Sequence, residues 1–216
     1  MKRMSCHINF FLFCFMLFFS SGSASCSGFG EKPELLDSFD FSPTLNAPFA
    51  SEFYLGRSKI NLEKNTLKDV LNLIKSGRIQ HQGDAGGSEY SLCYDGWYKG
   101  MKFRLWIISG ELGGPDHYID QVTLKMINKN NTDSVAFCYK LPTKFGKVTI
   151  KNEIWIGIND KGVEKKIGKP SYMRNSSWLY LYSKEIPNKG NITSVFQLNF
   201  SKKIVNSIIL LKVTTY

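Results

Sequence analysis

The chain lacks the short motifs that mark the common catalysts. No GxSxG, HExxH, P-loop or GxGxxG occurs in it. A hydrolase elbow, a zincin site and the usual nucleotide cradles therefore have no sequence basis. Histidine is scarce: His7, His81 and His117 are the only three. A metal centre normally draws three or more ligands in defined geometry, so neither a metal nor a cofactor is expected. None of the five cysteines forms a CxxC pair, which leaves a zinc ribbon or dithiol redox site without support. Lys and Arg are spread out without a dense block, so nucleic acid is not an expected partner. Long apolar runs are missing beyond residue 19. Ile208-Ile209-Leu210-Leu211 stops at Lys212 and reads as a buried strand.

What is present begins with Lys2 and Arg3. They precede a run from Ile8 to Phe19 in which Asn9 is the only polar residue. Small residues follow from Ser20 to Ser25. Basic, apolar, then small is the layout of a secretory signal peptide over residues 1–25. The run is well short of the roughly 20 residues needed to span a bilayer. An exported protein is expected.

Two readings meet at Cys26. A signal peptidase could cut after Ala24 or Ser25, because small side chains fit its pocket. Alternatively, Ser23-Ala24-Ser25-Cys26 resembles the lipobox of bacterial lipoproteins, with Ser23 where Leu is usual. That resemblance implies a lipid on Cys26 and a membrane anchor, with Ser27-Gly28-Phe29-Gly30 as tether. Cys6 and Cys14 leave with the leader. If Cys26 is acylated, Cys93 and Cys138 remain as an even pair. In an oxidising compartment such a pair is expected to bridge.

The formal charge is +10 at pH 7. Lys2 and Arg3 leave with the leader, but the remainder is still basic. Such a surface suits anionic lipid, peptidoglycan or an acidic protein.

Pro33, Pro43 and Pro48 exclude a long helix from residues 26–52, which read as tether and irregular lead-in. Beyond that, two segments share one order of elements. Residues 53–141 hold Thr66 and Asp69 as a capping box, then Leu67, Val70, Leu71 and Ile74 at helical spacing, with Gly77 as the expected stop. Strand-like runs follow at 90–94, 102–109, 118–127 and 134–141, with a turn expected at Asp95-Gly96. Residues 142–216 hold Asn159 as cap, then Val163 and Ile167, with Gly168-Lys169-Pro170 as stop. Runs at 178–182, 194–200 and 204–213 complete it. The reading is a duplicated α+β unit.

The stretch from Gly157 to Pro170, with its Gly, polar cap, helical Val163 and Ile167-Gly168-Lys169-Pro170 stop, resembles the SmpA/OmlA small outer-membrane lipoproteins. Ile167 stands where Leu is usual. The β-lactamase inhibitor protein has the tandem version of that architecture. The resemblance implies an α+β fold, short helices packed on an antiparallel sheet in tandem. It also implies a binding or assembly role without catalysis.

Candidate chemistry is thin. Asp116-His117 with Asp120 could form an acid–base or metal cluster, but reads better as a surface turn. A Cys93–His117 nucleophile pair would need Cys93 reduced. The aromatic residues point to binding instead. Trp97 and Tyr98 are expected in a turn. Phe103, Leu105 and Ile107 alternate with Lys102, Arg104 and Trp106. Trp106 is thus expected to stand exposed among cations, with Lys125 nearby. Trp178, Tyr180 and Tyr182 share one strand face. Trp, Tyr and Arg dominate binding hot spots.

The leading expectation is a non-catalytic, periplasmic, lipid-anchored module of the bacterial envelope that binds an envelope protein. The alternative is an inhibitor or immunity-type protein that blocks an exported enzyme. A small envelope hydrolase using His117 and Asp116 is the third reading.

Overall fold

The computed structural model describes residues 32, 33, 35, 36, 45–84, 87–127, 138–187 and 190–216, without the Asn152 side chain. The leader, Cys26 and the 134–137 part of one expected strand lie outside the described residues.

In chain order the elements are β1 (Glu52–Leu55), β2 (Ser58–Asn61), α1 (Leu67–Ile74), β3 (Gln80–Gln82), β4 (Glu89–Tyr98), β5 (Met101–Ser109), β6 (Gln121–Met126), β7 (Tyr139–Lys140), β8 (Val148–Ile150), α2 (Asp160–Ile167), β9 (Tyr172–Arg174), β10 (Ser177–Ile186), β11 (Gly190–Ser201) and β12 (Ile204–Thr215). The large sheet has the order β3-β4-β5-β6-β12-β11-β10-β9, with β7 pairing β4. All of its pairs are antiparallel except β4–β7. A separate sheet has the order β2-β1-β8.

This architecture corrects the expected α+β tandem. The fold is mostly β, and α-helix is confined to two segments of 8 residues each among the described residues. Two turns of helix do not make a layer of their own. They fill gaps against a sheet whose strands reach 12 residues. Both caps form where the sequence puts them. Thr66 Oγ1 accepts the Asp69 N–H at 3.1 Å, and Asp69 Oδ2 accepts the Thr66 N–H at 2.9 Å. Asn159 Oδ1 accepts the Gly162 N–H at 2.7 Å.

Two expected breaks move. Helix α1 ends at Lys75, which takes the left-handed conformation and donates its N–H to Leu71 O at 2.8 Å. Gly77 comes later, where a Cβ would meet Tyr94 Oη at 2.8 Å. Asp95-Gly96 is not a turn but the middle of β4. Gly96 lies across from Phe103, whose ring occupies the space a Cβ would need. The turn falls instead at Lys99-Gly100, with φ of 48° and 76°. Two positive φ values give the hairpin twist that matches the strands.

One face of the large sheet carries the main core. Leu67, Val70 and Ile74 of α1, Val163 of α2, and Phe53 and Leu55 of β1 join Leu105, Ile107, Phe196 and Leu210 in a single cluster. Residues 53–141 and 142–216 therefore share one core. The opposite face is covered too. Leu35 packs on Leu179, Leu181 and Val195, and Leu36 N–H donates to Gln197 Oε1 at 2.8 Å. Phe49 belongs to the main-core side, where it stacks on Phe196 with ring centroids 4.3 Å apart. Of the residues before β1, the described ones form no helix or strand, and Leu35, Leu36 and Phe49 among them are part of the packed fold.

Candidate functional site

The first candidate surface is on β4 and β5. Trp106 does point away from Phe103, Leu105 and Ile107, but it is only 1% exposed. The expectation of an open Trp106 is thus corrected. Alternation selects the face of a strand and says nothing about what covers that face. Here Trp106 and Ile108 cluster with Cys93 and Cys138. Cys93 and Cys138 are disulfide-bonded as expected, so Cys93 offers no thiol to His117.

The cations around Trp106 are engaged as well. Arg104 is buried. It holds Asp95, its cross-strand neighbour, through Nε at 2.7 Å and Nη2 at 3.0 Å. Lys102 reaches the same carboxylate at 4.0 Å. Lys125 is the register partner of Arg104 on β6. Two-pronged Arg–carboxylate pairing fixes geometry more than it advertises charge.

Trp178, Tyr180 and Tyr182 share a strand face, and that face points into the main core. Tyr180 and Tyr182 are buried. Tyr180 Oη donates to Gly168 O at 2.9 Å, and burial pushes its phenol well above the usual range. Trp178 packs on Phe200 at 4.8 Å. These three are correctly grouped by the sequence but inward-facing.

Trp97 and Tyr98 fit the binding expectation better. Trp97 is 51% exposed and Tyr98 half-buried, next to the Lys99-Gly100 turn. Lys99 Nζ lies 5.5 Å from the Tyr98 ring and 5.0 Å from the Trp155 ring. An ammonium between two aromatic faces is attracted by both. Trp155 comes from a distant segment and had no sequence signal linking it to this tip.

The opposite end of the sheet carries the polar loop. His117 adopts φ 55°, and its ring stacks on Tyr90 at 3.8 Å, which in turn stacks on His81 at 4.5 Å. His117 Nδ1 is buried without a hydrogen-bond partner. Asp116 is exposed. Asp120 is turned elsewhere: its Oδ2 accepts the Gly110 N–H at 2.8 Å. The structure does not bring the three together as a cluster. Among the described residues, no group of three or more His, Cys, Asp or Glu is placed to hold a metal.

Beside this loop lies a cleft of about 580 Å³, bounded by the loop itself, the ends of β11 and β12, and Glu63. Glu63 accepts the Thr214 N–H at 2.6 Å and pairs with Lys212 at 2.7 Å. Burial raises the Asp120 carboxyl to about 6, with the nearby Glu89 and Glu63 adding to the rise against its bond from Gly110. Its members come from well-separated stretches of chain, which is why no motif announced it.

The chain matches no family model, no curated protein and no solved structure.

Proposed function

We propose that this protein is a non-catalytic binding module of the bacterial envelope, exported and held to a membrane by a lipid on Cys26. It grips a partner protein at the β4–β5 tip. The observation that carries the binding part is Trp97, half open to solvent at the end of β4 beside the two-residue Lys99-Gly100 turn. A large aromatic on a short hairpin loses little freedom when it docks, and such residues are common hot spots. The envelope and anchor parts rest on the leader and on the sequence Ser23-Ala24-Ser25-Cys26.

The test uses full-length protein in its native host. Palmitate labelling should mark the wild type and not Cys26→Ser. Cross-linked capture should recover one envelope protein with the wild type and far less with Trp97→Ala. Recovery of an exported enzyme that the protein inhibits would replace this reading with the inhibitor reading. An unmodified mature N-terminus would remove the anchor.

A further inference from the structure

Asp120 is only 8% exposed, yet it lines the cleft at the end of the sheet. Among the described residues no Lys, Arg or His nitrogen is within ion-pair distance of it. The charged groups around it have other roles. Lys212, in the same wall, is held by Glu63 at 2.7 Å. Glu63 itself is also tied to Thr214 through its N–H at 2.6 Å and Oγ1 at 3.0 Å. Lys64 reaches the cleft but is exposed to water. Glu89, on β4, and Glu63 add negative potential at Asp120. His117 sits in the same loop with its ring against Tyr90.

A buried carboxylate without a cation is costly to ionise. The rim above it is apolar and open. Leu112 is 64% exposed and Tyr118 is 40% exposed, two of the few large apolar side chains left in solvent among the described residues, and both line this cleft. A volume of about 580 Å³ is within the range of small-ligand sites.

We infer that this cleft binds an organic cation: an ammonium or guanidinium head set against Asp120, on an apolar stem lying across Leu112 and Tyr118. The head supplies the counter-charge that Asp120 lacks. The stem covers the two exposed apolar groups, and the Tyr118 ring adds its own attraction for a cation. This site is at the other end of the strands from Trp97 and does not depend on partner binding there.

The experiment is calorimetric titration of the full chain with a matched pair, 4-phenylbutylamine and 4-phenylbutanol, at about pH 7.5 and about pH 5. A charge-assisted contact distinguishes the two ligands by about tenfold or more. The expected result is amine preference near pH 7.5 that shrinks near pH 5, where Asp120 takes up a proton. Asp120→Asn should reduce the amine to the affinity of the alcohol and leave the alcohol unchanged. Leu112→Ala, an exposed change, should weaken both ligands alike. Equal binding of amine and alcohol to the wild type would overturn the inference. So would no amine binding at millimolar concentration, or an amine preference that survives in Asp120→Asn. Should that variant not fold, the matched pair on the wild type with Leu112→Ala still decides.

Discussion

Trp106 stands directly across from Cys93 in the β4–β5 register, and the Cys93–Cys138 bridge packs on the same side of the sheet as the indole. The bridge brings a residue 45 positions away against the buried indole. A side chain that alternation places among cations thereby becomes part of a small second core. Arg104 lies 6.0 Å from the ring and closes the arrangement with Asp95.

That relationship sets the outcome for Trp106. Trp106→Ala should lower stability by about 3–5 kcal/mol, the cost of emptying a large buried site. Its Nε1 has no hydrogen-bond partner, so Trp106→Phe should cost much less. Urea unfolding of the two variants gives the comparison. A stable Trp106→Ala protein with weakened partner capture would reverse the assignment.

The disulfide should contribute substantially to stability. Closing a loop of this size restricts the unfolded chain by about 4 kcal/mol. Reduction, or Cys93→Ala with Cys138→Ala, should lower Tm by several degrees and loosen the packing around Trp106. Indole fluorescence against temperature, with and without reductant, reports both effects. Identical melting curves would argue against it.

Asp120 makes stability depend on pH with a definite sign. Its carboxyl is raised from 3.8 to about 6 by burial. The folded state therefore holds its proton more tightly than the unfolded chain. The resulting contribution is complete below about pH 4 and is lost as pH rises towards 6 and beyond, by at most about 3 kcal/mol. Asp120→Asn should flatten this interval and be at least as stable as the wild type near pH 7. Denaturation midpoints from about pH 4 to 7.5 check it. A wild-type profile already flat over that interval would count against the burial argument.

Trp97 and Lys99 make the contrasting case. Trp97→Ala should leave the melting temperature nearly unchanged, because half of the side chain is already in water. Partner capture should fall by more than about tenfold if Trp97 is a hot spot. Lys99→Met, which removes the ammonium between Tyr98 and Trp155, should weaken capture less. A large stability loss in Trp97→Ala with normal capture would assign the ring to packing.

The β11–β12 hairpin turns at Lys202-Lys203, both with positive φ, 50° and 64°. Asn and Gly adopt that geometry with less strain than Lys. Replacing the pair by Asn-Gly should raise stability by about 1 kcal/mol by relieving that strain, readable as a higher denaturation midpoint. An unchanged or lower midpoint would show that the turn is not strained.

The sequence alone determined what depends on neighbours along the chain. The caps at Thr66 and Asn159, most of the strand runs, and the sidedness of Phe103, Leu105 and Ile107 against Trp106 follow from local hydrogen bonding and from the two-residue period of a strand. The pairing of Cys93 with Cys138 followed from counting thiols. Tertiary structure decided what depends on the other surface. It made the fold mostly β, because two-turn helices settle onto a sheet and do not form a layer. It placed Asp95-Gly96 inside β4, because Phe103 fills the space beside Gly96. It buried Trp106, Tyr180 and Tyr182 and left Trp97 open. It also joined Glu63, Leu112, Tyr118, Asp120 and Lys212 around one cleft. Periodicity gives a side chain its direction. Exposure depends on whether another segment of chain lies in that direction, and packing settles that through contacts between residues far apart in sequence.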